Sequence, residues 1–156
     1  QFVIHYVPNL KARAGLASAR AFDLTNSALV LEIPSAPQTM LKGFLGIDLN
    51  GIGGKDIEMF VEEGNLKFGV ENSGTFKELG TVAYSAQQHR WWRIREASNT
   101  LFWETAPDGK TWTTQLEASP LPVAVDILDV EIHGGTRMEQ MSPGDARADN
   151  LNQPPP

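Results

Sequence analysis

The chain has 156 residues, enough for one domain whose core needs no covalent staple. It contains no cysteine, so disulfides and thiolate chemistry are excluded, and 13 basic against 19 acidic side chains give a formal net charge of −6. That charge opposes the counterion release that drives binding to nucleic acid, and no apolar run approaches the roughly 20 residues of a membrane-spanning helix. Nucleic acid as a partner and insertion into a membrane are both set aside.

Phe2, Ile4 and Tyr6 alternate with Val3, His5 and Val7, which predicts a strand from the first residues and suggests further chain upstream. Pro8-Asn9 ends it. Lys11 to Arg20 contains good helix formers, but Gly15 interrupts them and no continuous apolar stripe forms, so a loop is expected. Ala21 to Leu24 and Ala28 to Ile33 form the next strand pair, closed by Pro34 and Pro37. Lys42 to Leu49 and Asp56 to Val61 flank the turn Asn50-Gly51-Ile52-Gly53-Gly54. Glu62-Glu63-Gly64-Asn65 and Asn72-Ser73-Gly74 mark two more hairpin turns, around Leu66 to Val70 and before Phe76 to Tyr84.

His89 to Glu117 holds all four tryptophans and predicts three successive antiparallel strands. A two-residue turn at Ser98-Asn99 sets Ile94 opposite Trp103 and Trp92 opposite Thr105; a loop at Pro107 to Lys110 sets Thr105 opposite Trp112. This register buries Trp92, Ile94, Leu101, Trp103, Trp112, Thr114 and Leu116 together, because a one-residue slip would expose tryptophans and bury arginines. The other face receives Trp91, Arg93, Arg95, Phe102, Glu104, Thr113 and Gln115, with Arg93 across from Glu104. Val123 to Ile132 changes its apolar phase once at Ile127-Leu128, which predicts one bulged strand closed by Gly134-Gly135. Ala148 to Leu151 could form a last short strand. Turn signals recurring roughly every 8–12 residues predict an all-β sandwich.

HRWWRIRE (His89 to Glu96), TLFWETAPDGKTWT (Thr100 to Thr113) and ARAFDLTNSALVLEIP (Ala19 to Pro34) resemble concanavalin A-like, laminin-G-like jelly-roll domains of bacterial surface, secreted and phage-tail proteins. ADNLN (Ala148 to Asn152) resembles their closing strand, which pairs near the first one. The resemblance implies a two-sheet antiparallel jelly roll and an extracellular, cell-surface or virion setting. It leaves activity open among glycan binding, adhesion and glycoside hydrolysis.

Three chemistries follow. Family 16 glycoside hydrolases share this fold and carry Glu-x-Asp-x-Glu on one strand, where period-2 spacing turns three carboxylates into one cleft. Here Asp56 and Glu58 match the second and third positions, but Gly54 stands where the nucleophile belongs, and a glycine cannot attack an anomeric carbon. Asp48, Asn50 and Asp56 flank a glycine-rich turn and could offer oxygens to calcium, although solvated turn residues have the same composition. His5, His89 and His133 are far apart in sequence and suggest no metal centre. The mixture of Trp91 and Phe102 with Arg93, Arg95, Glu104 and Gln115 suits a sugar, which is bound by an aromatic plane and planar hydrogen-bonding groups; the same face could dock a neighbouring domain.

The sequence is thus read as one sandwich domain over residues 1–152 with a proline-rich tail at 153–156, a non-catalytic recognition module of a larger protein. A glycan is the expected partner, with calcium as an optional cofactor. The alternatives are an architectural or adhesive domain contacting protein, and a family 16-like hydrolase.

Overall fold

The computed structural model describes residues 1–6, 10–37, 43–138 and 144–153. The turn expected at Pro8-Asn9, the start of the strand expected from Lys42, and the prolines of the expected tail lie outside the described residues. The strands are β1 Phe2–His5, β2 Ala12–Ala17, β3 Ala28–Ser35, β4 Gly43–Gly51, β5 Lys55–Glu62, β6 Asn65–Asn72, β7 Thr75–Ala83, β8 Trp91–Ala97, β9 Thr100–Ala106, β10 Thr113–Ala118, β11 Leu128–Thr136 and β12 Asp145–Asp149. They form two antiparallel sheets of six, ordered β1-β12-β3-β8-β9-β10 and β2-β11-β4-β5-β6-β7. The all-β, two-sheet sandwich expected from the turn spacing is therefore the fold. As expected of a closing strand, β12 pairs with β1.

Period-2 alternation decides which side chains fill the space between the sheets. Leu29, Leu31, Ile33, Trp92, Ile94, Leu101 and Trp103 enter from the first sheet, and Leu45, Ile47, Leu49, Ile57, Met59, Val61, Leu66 and Phe68 from the second. Trp103 also bridges the layers: its indole N–H donates to the Glu58 carbonyl oxygen at 3.0 Å. Trp92 is anchored within its own layer by the His89 carbonyl, at 2.9 Å.

The tight hairpins follow the local chemistry. Ser98 and Asn99 both have positive φ (53° and 62°), the conformation a two-residue type I′ turn requires, and Ala97 pairs with Thr100 across it. Ile94 opposite Trp103 and Trp92 opposite Thr105 follow, as the sequence predicts. Glu63-Gly64 and Ser73-Gly74 repeat the same positive-φ pair between β5, β6 and β7.

Six expectations are corrected. Thr105 pairs with Thr113, not Trp112, because Asp108 accepts the backbone N–H groups of Lys110 and Thr111 and so lengthens the loop. Trp112 and Thr114 therefore leave the core: the Arg93 guanidinium lies 4.1 Å from the Trp112 ring centre, and Thr114 bonds Glu104. A register shift between Thr114 and Leu116 then returns Leu116 to the inner side, opposite Trp103. Residues 12–17 are an edge strand rather than a loop, paired to β11. Residues 21–24 form an isolated bridge, Phe22 to Leu128, with the Leu24 N–H donating to the Val125 carbonyl, rather than a strand. Finally, β11 begins at Leu128, after a loop that contributes Val123 and Val125 to the core, and runs on through Gly134-Gly135. Those glycines fit there because a Cβ on Gly135 would lie 2.0 Å from the Ala12 carbonyl oxygen. The last strand, β12, begins three residues earlier than expected and ends two earlier.

Candidate functional site

The outer face of the first sheet is closed on itself. Glu104, 4% exposed, accepts from Arg93 Nε at 2.6 Å and from Arg95 Nε and Nη2 at 3.2 Å. Burial alone would raise its carboxyl, but the hydrogen bonds from Arg95 and Arg93 outweigh it and hold Glu104 below the usual carboxylate range. The Arg95 guanidinium lies 4.0 Å from the Phe102 ring centre, and Gln115 donates to Thr105 Oγ1. Trp91, expected to be exposed, is 3% exposed, seated between Glu32 and Ala106 on the neighbouring strands. Of the six residues expected to form a glycan face, Trp91, Arg93, Arg95, Phe102 and Glu104 share one face with both arginines committed to Glu104, whereas Gln115 lies at the register shift of β10 and reaches Thr105.

The outer face of the second sheet is built differently. On β4 and β5 the outward positions are Phe44, Gly46, Asp48 and Asn50 against Asp56, Glu58, Phe60 and Glu62, and register sets Asp48 opposite Glu58 and Gly46 opposite Phe60. On β11 the outward Glu131 and His133 stand opposite Asp48 and Gly46. Two glycines empty the middle of this face. A Cβ on Gly46 would lie 2.8 Å from the Phe60 Cβ and 2.9 Å from His133 Nε2, and one on Gly69 of β6 would lie 2.5 Å from the Phe76 ring. Phe76 can therefore lie across β6, half-buried, with its ring edge-on to Phe60 at 5.3 Å between centres. The result is a groove of about 400 Å³.

The charges in this groove are unevenly matched. Arg137 and Lys67 both pair with Glu62, and Arg13 reaches Asp48 Oδ2 at 3.3 Å and Glu131 Oε1 at 3.0 Å. Glu58 and Glu71 have no ion pair among the described residues. The Glu58 carboxyl is pushed up to about 8, first by burial and then by the charges of Asp48, Glu71 and Asp56, with Arg13 opposing. His133 Nε2 lies 2.9 Å from Asp48 Oδ1, yet off the line of a hydrogen bond. Asp48 Oδ1 and both His133 ring nitrogens are thus buried without a hydrogen-bond partner, on residues 7% and 6% exposed. Buried polar atoms normally find partners, so three without a hydrogen bond at one place are unusual.

The residues expected near calcium are dispersed in purpose. Asp48 faces Arg13 and His133, whereas Asn50 and Asp56 pair across β4 and β5, with Asp56 Oδ1 accepting the Gly51 N–H. Among the described residues no group of three or more His, Cys, Asp or Glu side chains is placed to hold a metal ion. Gly54 lies in the turn before β5 with φ +66°, while Asp56 and Glu58 project from the strand itself. His89 is buried and accepts the Ser85 N–H; His5 is exposed beside Asp145. Sequence reasoning missed His133, Arg13, Phe60, Glu71 and Phe76. Period 2 along β5 carried a partial signal, since Asp56, Glu58, Phe60 and Glu62 share a face, but β11 and β2 arrive only through tertiary pairing.

No protein-family model and no curated protein sequence matches the chain. Solved structures do. The Crh5 transglycosylase in complex with NAG has a TM-score of 0.66 at 9% identity over 94% of this chain and 68% of that one. A legume lectin-like domain from Entamoeba histolytica has 0.61 at 13% identity, over 90% and 77%. A toad ovary galectin in complex with N-acetylgalactose has 0.53 at 10% identity, over 87% and 98%. At such identities the likeness is one of fold alone: the chain is a two-sheet jelly-roll sandwich, as these proteins are.

Proposed function

We propose that this chain is a carbohydrate-recognition module whose ligand lies in the groove on the outer face of the β2-β11-β4-β5-β6-β7 sheet. The observation that carries this reading is the pairing of an aromatic ring with unanswered polar atoms. Phe76 offers a plane to the C–H face of a sugar, and Asp48, Glu58 and His133 beside it offer acceptors and donors to its hydroxyls. Glycan-bound neighbours of the same fold lend support. The setting that goes with it is an extracellular or surface one, as a module of a larger polypeptide.

The test is a glycan array followed by titration, with and without calcium because Asn50 and Asp56 face each other at the end of β4 and β5. Phe76→Ala should lower affinity at least tenfold with its circular dichroism unchanged, whereas Arg95→Ala on the other sheet should bind normally. The reverse pattern would move the site to the Trp91 face. Binding of a protein partner with no glycan bound would favour an architectural role.

One observation favours a second, catalytic reading. Glu58 keeps its proton near neutral pH, as a general acid must, and Asp48 stands directly opposite it, at a cross-strand Cβ separation of about 5 Å. Release of reducing ends from a bound oligosaccharide, lost in Glu58→Gln, would establish it; binding without turnover would leave the recognition module.

A further inference from the structure

The ion pairs of the groove are arranged so that two of its acidic side chains are left without a cation. Among the described residues every cation facing it is committed: Lys67 and Arg137 to Glu62, and Arg13 to Asp48 and Glu131. Glu58 and Glu71 stand on adjacent strands, β5 and β6, around the Gly69 position where Phe76 lies: Gly69 is opposite Glu58 and Phe76 is opposite Glu71. The Glu71 carboxylate, a Glu58 carboxyl that can give up its proton when a cation arrives, and an aromatic ring are what an ammonium group seeks, through opposite charge and attraction to the ring face. A neutral hydroxyl brings no charge to draw the Glu58 proton off, and an acidic sugar would hold that proton in place.

A cluster of carboxylates can be only a solvated surface, but here a second observation marks a ligand. Asp48 Oδ1 and the His133 ring nitrogens, more than nine-tenths buried at the other side of the groove, lack hydrogen-bond partners. They suit hydroxyl groups, which both donate and accept. One molecule that satisfies both sides carries hydroxyls and an amine on the same ring.

We infer that the groove selects amino sugars with a free amine, hexosamine units that are not N-acylated, seating the ammonium between Glu58 and Glu71 against Phe76. This rests on the carbohydrate reading above and narrows it to one substrate class.

The experiment is calorimetric titration of the full chain with a glucosamine tetramer and with its fully N-acetylated counterpart, with tetralysine as an amine that carries no sugar. The glucosamine tetramer should bind at least tenfold more tightly than the acetylated one, and Glu71→Gln should remove most of that preference. Equal or tighter binding of the acetylated tetramer, still abolished by Phe76→Ala, would overturn the amine inference and leave the carbohydrate reading standing. Tetralysine binding as tightly as the glucosamine tetramer would overturn the sugar part. Failure of every sugar on the array and in titration would remove both readings.

Discussion

Trp103→Ala will cost the fold about 3–5 kcal/mol, seen as a lower urea midpoint at unchanged slope. Trp103 is fully buried, faces Ile94 across the hairpin, and ties the two sheets through its N–H to the Glu58 carbonyl. Removing the indole leaves a cavity between layers that meet there from both sides, and frees the one side-chain hydrogen bond that crosses from Trp103 to the second sheet. Trp103→Phe separates the contributions. It keeps most of the ring and loses the N–H, so a cost of about 1–2 kcal/mol is expected. A midpoint for Trp103→Ala equal to that of the native chain would sink the hairpin register on which the inner face is built.

Glu58→Gln should stabilise the protein at alkaline pH and leave it unchanged in acid. The folded state holds the Glu58 proton up to about 8, against 4.5 for a free glutamate, so between those values the folded chain binds more protons than the unfolded one. Stability must then fall as pH rises through that window, and the full penalty of the buried charge is felt above about 8. Because the groove opens to solvent, the gain from Gln is discounted to the order of 1–2 kcal/mol at pH 9, with no gain expected at pH 4. Unfolding of both proteins at the two pH values checks this. An equal difference at pH 4 and pH 9 would show that the effect is steric and not the charge.

What could be read from the sequence was what neighbouring residues decide. Ser98-Asn99, Glu63-Gly64 and Ser73-Gly74 specify tight turns through their own backbone preferences, and the alternation around Trp92, Ile94 and Trp103 fixes which face is inside. The sandwich follows from these. Trp112 escaped because one carboxylate, Asp108, reorganises its loop and shifts the pairing, and a one-residue shift exchanges the faces. The Trp91 face looked like a binding surface because composition cannot tell an arginine that awaits a ligand from one that Glu104 already occupies. Its opposite, the groove, was half visible in Asp56 and Glu58. The rest depended on Gly46 and Gly69 leaving room and on His133 and Arg13 arriving from distant segments, and neither has a local signature.

The same division has a bearing on how the groove comes into being. Its Phe76 and Glu58 side belongs to a meander of consecutive strands, β4 to β7, joined by short turns, whereas its Arg13 and His133 side needs β2 and β11 to meet β4 across long stretches of chain. Short-range pairings close at small entropic cost and long-range ones at greater cost, so the second half is the less readily assembled. A ligand reaching from Phe76 to His133 therefore acts as a clasp on β11. Hydrogen exchange should report it there: amides of β11 and β2 slow on binding, while those of the meander, already held by their own turns, change less.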